Sequence, residues 1–265
     1  QQPSEAQRLD SITITSTAIE LPFKKNSRTI TLISSEVIKQ SPATNLAELL
    51  QQEAGIDVRR QGVNGMQADL YIRGGSFDQT LLLIDGIKVE DPQTGHHTLN
   101  MALPLEVIER VEIIKGPAAR VFGQNAFTGA INIVTKSNAD TVNSVGYKLG
   151  SYNQQQASGT LGTNLGNTSL IGHASVNTSE GYRHNTDFEN QNYFVKGRFN
   201  TNGNPIDVIG TFSERKFGAN QFYAVESGHD QYEETQSSLV GASTKFQTEN
   251  FKITPRVYWK RNQDM

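Results

Sequence analysis

The 265-residue chain has no cysteine, so disulfides, thiolate metal sites and cysteine nucleophiles are excluded. An oxidising compartment fits this absence. No run of 18 apolar residues exists, which excludes a membrane-spanning helix. Neither sign of charge dominates: net charge is −3 with 19% charged residues, so no basic field points to nucleic acid. The opening QQPSEAQRLD is polar throughout and is not a signal peptide, which leaves a cytosolic chain or one already cleaved. A transmembrane β-barrel remains compatible with this polar composition, because its strands put only every second residue into lipid.

What is present divides into two halves. In the first, SSEVIKQSPATNLAELLQQEAG (34–55) reads as two short helices separated by Pro42, the second starting near Thr44 or Asn45 and stopping at Gly55. ADLYIRGG (68–75) and TLLLIDGIKVE (80–90) read as strands, with Asp85-Gly86 as a hairpin signal. LEVIERVEIIKG (105–116) starts helical and turns into a strand. A short helix follows Pro117 and ends at Gly123, and GAINIVTK (129–136) is a last strand. This half is a small α+β domain.

After Lys136 the period changes to two. Val145, Tyr147 and Leu149 share a face, as do Leu170, Ala174 and Val176, and Tyr193, Val195 and Phe199. The intervening positions are polar or charged. About seven such strands are expected, near 142–152, 154–165, 168–179, 191–201, 205–216, 235–247 and 250–263. Their connections alternate between tight turns and long polar loops, apart from a short one near 152–154. Long loops on one rim and short turns on the other characterise outer-membrane barrels. On pattern alone a soluble sandwich stays open as the alternative.

The block IERVEIIKGPAARVFGQNAFTGAINIVTK (108–136) resembles the plug-domain signature of TonB-dependent outer-membrane transporters. YIRGGSFDQTLLLIDGIKV (71–89) resembles the upstream plug motif. DSITITS (10–16) is similar to the Ton box, the extended segment gripped by the energy-coupling protein TonB. The resemblance implies a fold: an α+β plug domain followed by antiparallel strands of a transmembrane β-barrel of about 22 strands. It implies a tail at 1–20, a plug at 21–137 and the first part of the barrel at 138–265. The chain is then the N-terminal piece of a protein more than twice as long, in the outer membrane of a Gram-negative bacterium. The function implied is active, TonB-dependent import of a scarce, large nutrient, with no enzymatic step. A structural or assembly role on the same fold is the reading from another class. An enzyme is disfavoured, since no nucleophile–base or metal grouping is spaced usefully.

The resemblance also assigns residues. Asp10, Ser11, Ile12, Thr13, Ile14, Thr15 and Ser16 would bind TonB by adding a strand to its sheet edge. The segment is equally readable as a disordered tail. Asn64, Met66 and Gln67 in one loop, and Asp91, Gln93, Thr94, His96, His97 and Asn100 in another, would meet substrate at the outer face. Solvated turn chemistry explains both loops as well. Arg73 and Lys115 would lock plug to barrel. The family's arginine is replaced at Lys115, which keeps the charge and loses the bidentate fork. No cofactor is implied. Calcium at Glu226/Asp230 or Glu233/Glu234 is the one metal that the acids of the outer loops suggest, although charge facing water explains them too. Partners would be TonB, the ligand, outer-membrane lipid and, left open, a surface lipoprotein. The stretches PQTGHH, GPAARVFG and YWKRNQD resemble the vitamin B12 (cobalamin) branch, with ferric siderophores as the alternative ligand.

Overall fold

The computed structural model describes residues 30–62, 67–89, 99, 103–116, 125–140, 142–201, 204–222, 230–248 and 251–265, with backbone alone at 13–14, 21–22 and 252. A two-residue strand β1 (Thr13–Ile14) pairs antiparallel with β2 (Leu21–Pro22). Strand β3 (Ile30–Ser34) then leads directly into helix α1 (Ser35–Gln40), where the Ser34 hydroxyl caps the first turn. Helix α2 (Leu46–Gln51) is fixed at its start from two directions. The Asn45 side chain accepts the Glu48 amide at 2.9 Å, and the Glu48 carboxylate accepts the Thr44 amide and hydroxyl, each at 2.8 Å. These bonds satisfy donors that a helix start leaves open. The helix ends at Gln51, short of Gly55, and the chain turns through Gly55 into β4 (Ile56–Gln61).

Strand β4 pairs with β5 (Gln67–Ile72). Next come β6 (Thr80–Ile84), β7 (Ile87–Lys88), β8 (Ile108–Lys115) and β9 (Gly129–Thr135). Together with β3 they form a five-stranded sheet in the order β3-β8-β9-β6-β7, in which β6 and β9 run parallel. Strand β6 reads TLLLI and is buried at every position. Leu82 and Ile84 enter the main core, while Leu81 and Leu83 pack with Ile30, Ile114, Ala126 and Ala130 on the opposite face. A strand covered on both faces needs a continuous apolar run instead of alternation.

The Asp85-Gly86 turn joins β6 to β7 with both residues at positive φ, 48° and 78°. That is the twist a two-residue hairpin requires. At Gly129 the requirement is space: a Cβ there would stand 2.4 Å from the Ile114 carbonyl oxygen, so β8 and β9 close only over glycine.

The second half is one antiparallel sheet of seven strands, paired in chain order: β10 (Ser144–Gly150), β11 (Gln154–Leu165), β12 (Thr168–Ser179), β13 (Phe188–Thr201), β14 (Asn204–Gly218), β15 (Tyr232–Thr244) and β18 (Arg256–Asp264). The segment between β15 and β18 carries its own hairpin of β16 (Phe246–Gln247) and β17 (Lys252–Ile253), so the last two wall strands stop short of the tight 247–250 turn expected from sequence. Register puts Val145, Leu161, Leu170, Tyr193, Val208, Val240 and Trp259 on one face, all exposed. The other face of this wall is mostly polar and meets the first domain. There Ile171, Phe194, Ile209 and Leu239 join the core of the five-stranded domain. An apolar outside over a polar inside is the reverse of a sandwich and the rule for a membrane barrel.

Candidate functional site at the plug–wall interface

The two halves are joined by charge as well as by apolar contact. Asp85, at the β6–β7 turn, accepts the Thr135 amide on Oδ1 at 2.9 Å. Its Oδ2 accepts the Thr135 hydroxyl at 2.6 Å and the Lys196 ammonium at 3.0 Å. Lys196 projects from β13 and is only 3% exposed. It also donates to Thr135 Oγ1 at 2.6 Å and to the Thr135 carbonyl at 3.2 Å, so all its donors have acceptors in the first domain. Arg256 of β18 donates through Nε to the Asp85 carbonyl at 3.2 Å. Asp85–Lys196 is thus an ion pair that links plug and wall.

This contact continues into the sheet. The Gly86 amide donates to Asn132 Oδ1 at 3.0 Å, and Asn132 donates through Nδ2 to Glu112 Oε2 at 3.1 Å. Glu112, fully buried, pairs through Oε1 with Arg110 at 2.9 Å. A carboxylate can occupy such a position only when its oxygens are hydrogen-bonded and paired.

Between α1, α2, the 103–106 segment and strands β10–β14 lies a cavity of about 420 Å³. Its polar lining includes Lys136, Glu106, His173, Ser175, Asn192 and Arg215. Ser175 and Asn192 are bonded to each other at 3.3 Å, and Ser213 donates to Asn192 at 3.2 Å. The Lys136 ammonium donates to the Glu106 carbonyl at 2.6 Å. Burial, and then the nearby Lys39, push the Lys136 pKa below the ordinary lysine range.

The residues singled out in the sequence are distributed unevenly. Asn64, Met66, Asp91, Gln93, Thr94, His96, His97 and Asn100 lie outside the described residues, as do Glu226 and the 117–123 segment. Of the 10–16 segment, Thr13 and Ile14 are described, as strand β1. Gln67 opens β5 opposite Gln61 and is buried. Lys115 donates to the carbonyl of Ala54, and the Arg73 guanidinium lies over Gly116, so the pair stands together on the plug. Asp230 is taken by His184 at 2.8 Å and Glu234 by Lys216 at 2.9 Å. No group of three acids or histidines among the described residues is arranged to hold a metal. Sequence reasoning missed Asp85, Thr135 and Lys196 as an interface, and His173 as a cavity residue. The period-two pattern already put Lys196 and His173 on the polar face, which was the available signal.

Residues 22–130 match the family model of the TonB-dependent Receptor Plug Domain. Residues 22–130 are thus a plug domain of the TonB-dependent receptor type, and the antiparallel sheet that follows shares its fold with the solved receptors below. Among sequence relatives, it is 34% identical to the vitamin B12 transporter BtuB of Vibrio vulnificus over 141 residues, 53% of this chain and 23% of that one. It is 32% identical to the vitamin B12 transporter BtuB of Vibrio cholerae over 164 residues, 62% of this chain and 27% of that one. The chain thus spans about a quarter of these relatives' length. Among solved structures, Pseudomonas aeruginosa FpvA, bound to an iron pyoverdine, aligns with a TM-score of 0.75 at 16% identity, covering 94% of this chain and 36% of that one. The ferric-catecholate import receptor Fiu of Escherichia coli aligns with a TM-score of 0.69 at 19% identity, covering 92% and 40%.

Proposed function

We propose that this chain is the N-terminal part of an outer-membrane importer that takes up vitamin B12 at the expense of energy delivered by TonB. The observation that carries the reading is a plug fastened to the polar face of a wall whose opposite face is apolar. A plug bound this way closes a pore, and opening it requires work on buried contacts. The cobalamin assignment is supported by the sequence relatives, which are named as vitamin B12 transporters.

In this reading, ligand lands on the outer loops, including the 64–67 and 91–100 segments. Occupancy shifts the 10–16 segment toward the form that TonB takes up as an added strand. Arg73 and Lys115 contribute to holding the plug on wall strands beyond those described. The protein moves its ligand without chemistry on it.

Calorimetry of cyanocobalamin against the full-length protein in detergent tests the assignment. Tight binding that weakens when His96 and His97 are changed supports it. Absence of binding, with a ferric siderophore binding instead, overturns the substrate and leaves the importer. Deleting residues 10–16 is expected to abolish uptake by cells while leaving binding intact; persistent uptake would sink the coupling to TonB.

A further inference from the structure

Two buried nitrogens line the cavity between plug and wall without an ion-paired carboxylate among the described residues. The first is His173 of β12, which is 6% exposed. Its Nδ1 lies 2.8 Å from the hydroxyl of Thr160, which is fully buried. Either group can donate in this bond; with the Thr160 hydroxyl as donor the imidazole hydrogen sits on Nε2, which is buried with no hydrogen-bond partner among the described residues. A fold does not ordinarily leave a buried donor without its hydrogen bond.

The second is the ammonium of Lys136, on the plug side of the same cavity and 8% exposed. It donates to one backbone carbonyl and forms no ion pair with a carboxylate among the described residues. Two of its three donors are thus free to face the cavity. Among the described lining residues the same bias holds: Lys39, Lys136 and Lys148 are set against Glu106 as the one acid. A space with this excess of donors and positive charge is complementary to acceptors carrying negative charge.

We propose that the cavity is an oxyanion-binding site, in which the Nε2–H of His173 and the ammonium of Lys136 accommodate a carboxylate or phosphate group. One donor belongs to the wall and the other to the plug, so the anion would bridge the two halves. This deepens the import reading, because a solute carrying such a group would be held after it passes the outer loops. The anion site itself stands without any assumption about which solute is imported.

The probe is tungstate, a phosphate-like oxyanion with strong anomalous scattering, soaked into crystals of the full-length protein and titrated by calorimetry. The expected result is an anomalous peak within hydrogen-bond distance of His173 Nε2 and Lys136 Nζ. In His173→Phe and in Lys136→Met the affinity should fall about tenfold, the loss of one charge-assisted bond. An ordered water on Nε2 at saturating tungstate, with no anion in the cavity, overturns the proposal. So does tungstate on surface lysines alone. The wild-type map decides even where a variant fails to fold. Competition separates the sources of the anion. Cyanocobalamin, which carries a phosphodiester, displaces tungstate if the group arrives on that solute; undisturbed tungstate marks a site for free oxyanions. If cyanocobalamin does not bind at all, the substrate reading fails while the tungstate result stands.

Discussion

Lys196 of the wall and Asp85 of the plug meet at 3.0 Å, 111 residues apart in sequence, with Thr135 bonded to both. Neither charge has a better option. Lys196 would be a bare ammonium inside the interface, and Asp85 would lose the cation that balances a carboxylate at a tight turn.

Removing one member should therefore cost more than removing both. Lys196→Met alone is expected to weaken this contact by about 1–3 kcal/mol, because it leaves a partly buried carboxylate without its ion-pair partner. The double variant Asp85→Asn/Lys196→Met should recover part of the loss. Hydrogen exchange at the amides of Thr135 and Gly86, which end at Asp85 and Asn132, reports it. Equal protection in the wild type and Lys196→Met would show that the pair contributes nothing.

Gly129→Ala tests the seam between β8 and β9. The added methyl would stand 2.4 Å from a backbone oxygen, which has no rotamer by which to retreat. A loss of about 1–3 kcal/mol is expected, of the size seen for overpacked cores. A thermal melt followed on plug residues measures it; an unchanged midpoint would mean the sheet yields more easily than its pairing suggests.

Glu48 sets an acid limit on helix α2. Burial pushes its pKa up, but the Thr44 amide and hydroxyl, and then Arg60, outweigh this and hold it below the ordinary glutamate value. A folded-state pKa below the unfolded one means stability present above the ordinary carboxylate range and lost as pH falls through the lowered value. Exchange at the Thr44 amide should accelerate across that window in the wild type. Glu48→Gln should abolish the pH dependence and cost about 1 kcal/mol at neutral pH. A pH profile identical in the two proteins would remove Glu48 from this role.

Lys136 gives a slope of the same sign at the alkaline end. Its depressed pKa means the folded state gives up a proton more readily than the unfolded chain, so stability rises with pH once pH passes the lowered value. Lys136→Met should flatten that rise in a series of melts at alkaline pH. A rise of the same slope in the variant would place its origin elsewhere.

The wall was legible because a period of two constrains every residue. Val145, Leu170, Tyr193 and Val195 sit on the face the alternation gave them, and the pairing follows chain order. The plug's local signals were legible too: Asn45 caps α2, and Asp85-Gly86 makes the hairpin. What stayed hidden was pairing at a distance. Asp85 reads as a turn former, and nothing beside it in sequence announces a lysine on β13. The expected strands run closer together than β15 and β18 do, because Phe246–Gln247 and Lys252–Ile253 pair as a separate small sheet between them.

The strand order of the plug has a mechanical consequence. Strand β3 is the first plug-sheet strand after the N-terminal segment, lies at the edge of its sheet and is held by a single neighbour, β8. The β6–β7 turn at the other side is moored to the wall through Asp85. Tension entering ahead of Ile30 therefore loads the β3–β8 seam first, while the moored side stays behind. In the importer proposed above, the sheet would part unevenly along a set tear line, and the plug would not have to move as one body.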